Sequence, residues 1–165
     1  MNDFNPHSNT AEFEQAISSH ADVISRICFY YSQSRAEYED LRQDAMLNLW
    51  KGWANFRGDS ALGTWIYRVT LNTCVSNLRS RRRNLLSFST ELPDDLVADA
   101  DSSAMQLREM HRLIGQLPPR EKAVVLMWLD ERPYDEIAAV MGASRNTVAT
   151  WIRRAKEKLV KMSNQ

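Results

Sequence analysis

An all-α fold, built as two small helical domains with a helix-turn-helix in the second, is what this sequence predicts. Three observations predict it. Apolar residues recur every three or four positions along most of the chain. No run alternates as a strand does. One long stretch without a period, Leu85–Ser103, holds Ser87, Ser89, Thr90, Pro93 and four aspartates, and reads as a flexible acidic linker. The 165 residues suit two small domains, placed at 1–84 and 104–165 with the linker at 85–103.

The first helix is expected from a possible cap at Asn9-x-x-Glu12. Its stripe is Phe13, Ile17, His20, Ile24, Ile27 and Tyr31. His20 reads as a packed or edge histidine rather than a ligand. Ser34-x-x-Glu37 opens a second helix, with Tyr38, Leu41, Ala45, Leu49 and Trp53 on one face. Glu39, Asp40, Gln43, Asp44 and Asn48 lie opposite. That acidic, amide-rich face fits a solvated surface or a dock for a basic partner helix.

Phe56-Arg57-Gly58-Asp59-Ser60 then breaks the pattern. Gly58 permits a tight turn, and Asp59 or Ser60 can cap the helix that follows. Leu62, Ile66, Val69, Thr73 and Leu78 give that helix an inward face. Arg68, Asn72, Ser76 and Arg79 lie away from it, and the segment closes on Arg81-Arg82-Arg83. Amide and guanidinium groups match the edges of bases. Phe56, Trp65 and Tyr67 offer flat faces for unstacked bases, although Trp65 fits a purely structural role equally well.

After the linker, Met105, Leu107, Met110, Leu113, Ile114 and Leu117 resume the helical period until Pro118-Pro119. Arg120-Glu121 starts an apolar helix that ends in the turn Asp130-Glu131-Arg132-Pro133. Tyr134–Met141, Gly142-Ala143-Ser144 and a last helix to about Met162 have helix-turn-helix spacing. Ala138 is small where the helices approach, Gly142 ends the first, and Ser144 caps the second. Val148, Ile152, Ala155 and Leu159 form its buried stripe. Asn146, Thr150, Arg153, Arg154 and Glu157 lie opposite, with Arg145 at the helix start, a side that fits a major groove or, on spacing alone, the outer face of a plain helical hairpin.

Charge supports nucleic acid as a partner. The formal net charge is zero, but Met1–Leu49 carries −5, Trp50–Arg83 +6, Asn84–Glu109 −5, Met110–Ala143 −1 and Ser144–Gln165 +5. Both basic blocks coincide with the helices just singled out, and phosphate responds to local field rather than to the total. Other classes fit poorly. No apolar run reaches the ~18–20 residues of a membrane span. The opening MNDFNPHSNT lacks the features of a signal peptide, which places the protein in the cytoplasm. Cys28 and Cys74, far apart in sequence, read as reduced core thiols. No Cys/His cluster, phosphate-cradling glycine loop or ordered carboxylate pair argues for an enzyme, a metal or a cofactor. A stand-alone helix-turn-helix regulator is the alternative, but a sensor domain needs a pocket, and the first domain instead presents an acidic helix and a basic aromatic one.

Three stretches carry a resemblance. Glu39-Asp40-Leu41-x-Gln43-Asp44 resembles the polymerase-binding helix of the extracytoplasmic-function sigma factors, the compact branch of the sigma-70 family. Phe56-x-Gly58-x-Ser60-x-x-x-Thr64-Trp65-Ile66-x-Arg68-x-x-x-Asn72 resembles their promoter-melting and minus-ten-reading segment. Leu117-Pro118-x-x-x-Lys122, with Tyr134-x-Glu136-Ile137-Ala138 and Thr147-Val148, resembles their minus-thirty-five-reading domain. The resemblance implies a non-enzymatic initiation factor whose partners are core RNA polymerase, promoter DNA and an anti-sigma factor.

It implies that Glu39, Asp40, Leu41, Gln43 and Asp44 dock on the clamp of the largest polymerase subunit. Phe56, Arg57, Gly58, Asp59, Ser60, Trp65, Arg68, Asn72, Arg79, Arg81 and Arg82 would handle the minus-ten strand, the 56–60 loop receiving a flipped base and the arginines after Ser80 touching backbone. Arg145, Asn146, Thr147, Thr150, Arg153 and Arg154 would read the minus-thirty-five duplex, and the acidic linker would thread near the RNA exit path. The chain departs from the pattern at Met46, where an aromatic is common, at Ala149, where Lys or Arg is frequent, and at Asn146 and Trp151.

Overall fold

The computed structural model describes residues 6–84 and 102–165, with side chains described from Thr10 to Ser80 and from Ser102 onward. Its elements are α1 (Pro6–Ser19), α2 (Ala21–Tyr31), α3 (Arg35–Trp53), α4 (Leu62–Asn84), α5 (Ser102–Gly115), α6 (Pro119–Leu129), α7 (Tyr134–Met141) and α8 (Arg145–Ser163). The expected linker falls outside the described residues except for Ser102 and Ser103, which open α5. No strand occurs among the described residues.

The stripe from Phe13 to Tyr31 is divided between two helices rather than carried by one. The break falls at His20, whose Nδ1–H donates to Ala16 O at 2.9 Å and so satisfies a carbonyl of the last turn of α1. The start of α1 also differs from expectation: the helix begins at Pro6, so Asn9 lies inside it. Ser34 caps α3 as its sequence requires, its hydroxyl accepting from Glu37 N–H at 3.1 Å, and the Glu37 carboxylate reaches back to the Gln33 N–H. For α4 the first helical bond runs from Trp65 N–H to Ala61 O. Ala61 therefore holds the cap position, and neither Asp59 nor Ser60 does.

Helices α2, α3 and α4 pack around Ile24, Ile27, Leu41, Ala45, Leu49 and Ile66, none more than 2% exposed. Each large aliphatic side chain so buried contributes about 1.5–3 kcal/mol. Cys28 and Cys74 meet in this core, thiol against thiol, a proximity their spacing in sequence conceals. Hydrogen bonding to Cys28 and burial hold the Cys74 thiol well above its ordinary range, against the nearby charge of Lys122. In the second half, Val124, Val125 and Met127 of α6 pack with Ile137 of α7 and with Val148, Ile152 and Ala155 of α8.

The two halves share one continuous core. The inward face assigned to α4 explains Ile66 and Thr73 but not Tyr67, Leu71 and Cys74, which are also buried. A helix with one solvent face would not bury them; α4 is covered by α3 and α2 on one side and by α7 on the other. Tyr67, expected to offer a ring to DNA, is 1% exposed and donates its hydroxyl to the Asp130 carboxylate.

Gly142 shows how tightly the last hairpin is specified. Its φ of +63° is left-handed backbone, and Ala143 N–H closes the helix end on Ala138 O at 3.1 Å. An added Cβ would touch nothing, so only backbone strain opposes it. Gly142→Ala is expected to cost about 1–2 kcal/mol in urea unfolding. A loss under about 0.3 kcal/mol would mean that the turn relaxes without the glycine.

Candidate nucleic-acid and polymerase interface

Helix α3 presents the acidic face that its sequence pattern describes. Glu39, Asp40, Gln43 and Asp44 are exposed, and Glu39 pairs with Arg35 of its own helix at 3.1 Å. Leu41 does not join them. It is 2% exposed and points into the core, because it falls on the opposite side of the helix. In its place the surface shows Leu47 and Trp50, 50% and 42% exposed beside the acidic residues. Large apolar side chains left in water next to a charged stripe are features of contact surfaces. Sequence periodicity alone marks Leu47 only as off the buried stripe.

The loop after α3 carries an aromatic platform. Trp53 and Phe56 stack at 6.0 Å with planes 18° apart, and Trp65 tilts against Phe56 at 5.0 Å. Phe13 meets Trp53 edge-on at 5.7 Å from α1. Gly52 gives Trp65 room against α3: a Cβ there would lie 3.1 Å from the indole, so the ring would have to give by a few tenths of an ångström. Gly58 turns the loop with φ +77°, leaving Arg57 and Asp59 exposed and Ser60 half-buried. Trp65 is thus partly structural, and Phe56 is half-buried on its platform.

Along α4, Asn72 and Arg79 are exposed. Asn72 stands between two concavities. One, about 370 Å³, lies between α3 and α4 with Asp44, Asn48, Thr73 and Asn77 on its walls. There Asn77 donates to Asp44 at 3.2 Å and Asn48 to Thr73 at 2.9 Å. The other, about 530 Å³, lies between the halves and is lined by Arg68, Asn72, Arg79 and Arg120 over an apolar floor that includes Leu71, Val75 and Met141. Arg68 is not free to face outward: its guanidinium donates to Ala139 O of α7 at 2.7 Å. The side chains of Arg81 and Arg82 lie outside those described.

In α8, Ser144 caps the helix by accepting from Thr147 N–H at 3.1 Å. Arg145, Asn146, Arg153 and Arg154 are exposed, and Thr147 and Thr150 half-buried. Several already have partners. Arg145 pairs with Asp135 at 3.2 Å, Arg153 with Glu157 at 2.9 Å, and the Thr150 hydroxyl donates to Asn146 O at 3.1 Å. Trp151, unusual for its position, serves as a platform on which the Arg120 guanidinium lies, 4.9 Å from the ring centroid. Arg120 was not singled out from sequence, since nothing local announces a contact 31 positions away.

Between the halves runs a set of polar ties. Asp130 accepts from Tyr67 and pairs with Arg26 at 3.1 Å. Burial pushes its carboxyl above the ordinary value, while Arg26 and Arg132 pull the other way. Arg132 lies over the Tyr67 ring at 5.1 Å and pairs with Glu136 at 3.1 Å, and Glu136 accepts from Thr64 at 3.3 Å. Among the described residues no three His, Cys, Asp or Glu side chains gather as a metal site, and no helix is long and apolar enough to cross a membrane.

Known proteins share this arrangement. The model of sigma-70 region 2 matches residues 16–84, and that of sigma-70 region 4 matches residues 107–159. The sigma-E factor of Escherichia coli K12, an extracytoplasmic-function RNA polymerase sigma factor, is 32% identical over 135 residues, spanning 72% of this chain and 69% of its own length. The chain belongs to the extracytoplasmic-function sigma factors. SigG of Mycobacterium tuberculosis is 30% identical over 95% of the chain, which spans 48% of SigG, and SigM of the same species is 27% identical over 91% of the chain and 76% of its own length. The chain thus spans about half the length of the SigG it matches. Among solved structures, the sigma factor RpoE of Bartonella quintana, in complex with the anti-sigma factor NepR, superposes with a TM-score of 0.75 at 20% identity, covering 93% of this chain and 97% of that one. CnrH, in complex with the cytosolic domain of CnrY, gives 0.69 at 20% identity, covering 94% and 89%.

The tie between Arg68 and Ala139 is directly testable. Arg68→Ala is expected to remove about 1 kcal/mol from the contact between halves. In small-angle scattering this shows as a larger radius of gyration at unchanged helicity. An unchanged radius in this variant and in a Tyr67→Phe, Arg68→Ala double variant would mean that these bonds do not hold the halves together.

Proposed function

We propose that this sigma factor is a transcription initiation factor that binds core RNA polymerase and directs it to promoters bearing particular minus-ten and minus-thirty-five elements. In this reading residues 1–84 bind polymerase, open the duplex and read the minus-ten strand, 85–103 link, and 104–165 read the minus-thirty-five element. It acts in the cytoplasm without an active site of its own, and an anti-sigma factor restrains it. The observation that carries the reading is a combination in one half of the molecule. An exposed acidic helix, α3, stands beside a left-handed glycine turn backed by three packed aromatics, and an amide-bearing helix, α4, follows at once.

Each part has a physical task. The carboxylates of Glu39, Asp40 and Asp44 complement a basic clamp surface, with Gln43 beside them and Leu47 and Trp50 adding apolar area. Leu41 supports this helix from within. Phe56 and Trp65 back the 56–60 loop, where a base leaving the stack finds an aromatic neighbour worth about 1–3 kcal/mol. Asn72 offers both donor and acceptor to that base. Arg79, Arg81 and Arg82 meet the backbone. Helix α8 enters the major groove with Arg145, Asn146, Thr147 and Thr150 toward base edges and Arg153 and Arg154 toward bases or phosphate.

Reconstituted transcription separates these roles. Asn72→Ala is expected to lower promoter opening at least tenfold while leaving affinity for core polymerase within twofold. Asp40→Lys with Asp44→Lys is expected to do the reverse, by opposing like charges. Equal loss of both activities in Asn72→Ala would mark it as a structural residue. Tight binding to duplex DNA by the chain alone, with no stimulation of core enzyme, would support a stand-alone regulator instead.

A further inference from the structure

The C-terminal end of α2 is finished by the other half of the molecule. Helix ends leave carbonyls without helical partners. Here His111 of α5 places Nε2 3.0 Å from Phe29 O and 3.0 Å from Ser32 O, and Lys122 of α6 places Nζ 3.5 Å from Tyr30 O. Tyr31 returns the contact by donating to Pro119 O at 2.9 Å. His111 is 4% exposed, edge-on to Phe29 at 4.8 Å and stacked on Tyr30 at 5.9 Å. With two carbonyls in front of it, Nε2 must carry the proton. Nδ1 is then a bare lone pair, buried and without a hydrogen-bond partner among the described residues.

We infer that His111 is a pH-sensitive latch: neutral, it ties α5 to the end of α2 and keeps the halves closed, and its protonation releases them. A second proton would place an N–H at Nδ1 with no acceptor. It would also add a positive charge next to Lys122, the charged group that acts on this imidazole from α6. From α2 the titratable neighbour is the Tyr30 phenol, with Arg26 and Asp130 beyond it. On α5 itself, Arg108 stands one turn earlier. Among the described residues, no carboxylate acts on the ring to compensate the charge. The latch matters to the proposed function because the closed state holds Arg68 against Ala139 and sets Asn72 at the cleft between the halves. The closure itself does not depend on that reading.

Burial lowers the affinity of His111 for a proton in the closed state, with Lys122 acting in the same direction and the two carbonyl bonds opposing. A histidine depressed in the closed state contributes its full stabilisation above its ordinary value of about 6.5, and loses it as pH falls through that value toward the depressed one. From pH 7.5 to 5.5 this lowers the closed-to-open ratio about tenfold. Asp130, raised by burial, acts in the opposite sense. A variant that removes only the histidine titration isolates the latch, and His111→Gln does so, because its amide can still donate to Phe29 O and Ser32 O.

The experiment follows opening by thiol modification in the full chain with both native cysteines replaced by alanine. A single probe is introduced as Ala123→Cys, at a position 3% exposed on the cleft between halves. A pyridyl disulfide serves as reagent, and rates are normalised to the urea-unfolded chain at each pH. A second chain carries Ala45→Cys, a position 0% exposed inside the first half, to report unfolding. The expected result is a rise of about tenfold at Ala123→Cys between pH 7.5 and 5.5, less than twofold in the His111→Gln background, and no rise at Ala45→Cys. An equal rise in both backgrounds, no rise in either, or a parallel rise at Ala45→Cys would each overturn the latch. None of these readings involves polymerase or DNA, so they stand apart from the transcription assay.

Discussion

The arrangement depends on α4 being buried from two directions. A 23-residue helix with a single apolar stripe could sit on the surface of a small bundle. This one carries a second set, Tyr67 and Leu71, that only another layer can cover. The second half supplies the layer through α7 and through the turn that holds Asp130. Because the covering includes a tyrosine hydroxyl, a carboxylate and two arginines, it has polar groups that must find partners whenever the layer lifts. Water can satisfy them, so the closed state is held by a modest surplus of apolar burial rather than by its ion pairs.

Much of this was legible in the sequence. The caps at Ser34 and Ser144, the turn at Gly142 and the stripes of α3 and α8 follow local rules, and the structure obeys them. The differences lie where contacts that the apolar period does not encode decided the outcome. His20 splits one expected helix because its imidazole finds Ala16 O. Tyr67 left the list of exposed rings because Asp130, 63 positions away, claims its hydroxyl. The resemblance counts Leu41 among the polymerase contacts, but the helical period, which already sets it beside Tyr38, Ala45 and Leu49, turns it inward. Cys28 and Cys74 touch across two helices with nothing in their spacing to say so. Phe56 and Trp65 of the aromatic platform are legible in the sequence as rings, whereas Trp53 reads only as part of the α3 stripe. The room that Gly52 leaves for Trp65 against α3 shows only in the three-dimensional fold.

The two surfaces proposed to meet nucleic acid in the first half differ in how ready they are. The loop at Gly58 and its aromatics need no rearrangement of the halves to meet a strand, since Arg57 and Asp59 are already exposed. Arg68 and Asn72 lie on a cleft shared with α6 and α7. In the proposed function, reading by α4 is therefore coupled to the position of the second half, whereas capture by the loop is not. Two events that could have been one are separated by the packing of a single helix.

The ion pairs along α8 have a consequence for the contact with a polyanion proposed for this helix. Six cations lie between Ser144 and Gln165. Three of them, Arg145, Arg153 and Lys158, carry carboxylates from Asp135, Glu157 and Glu121 within 3.2 Å. These side chains bring tethered counter-ions that cannot diffuse away. When phosphate takes their place the displaced charge stays in the protein, and fewer mobile ions are freed than the count of arginines and lysines suggests. The entropy that usually drives nonspecific attachment to DNA is reduced to that extent. What remains favours sites where the geometry of the bases, rather than the density of phosphates, makes the exchange worthwhile.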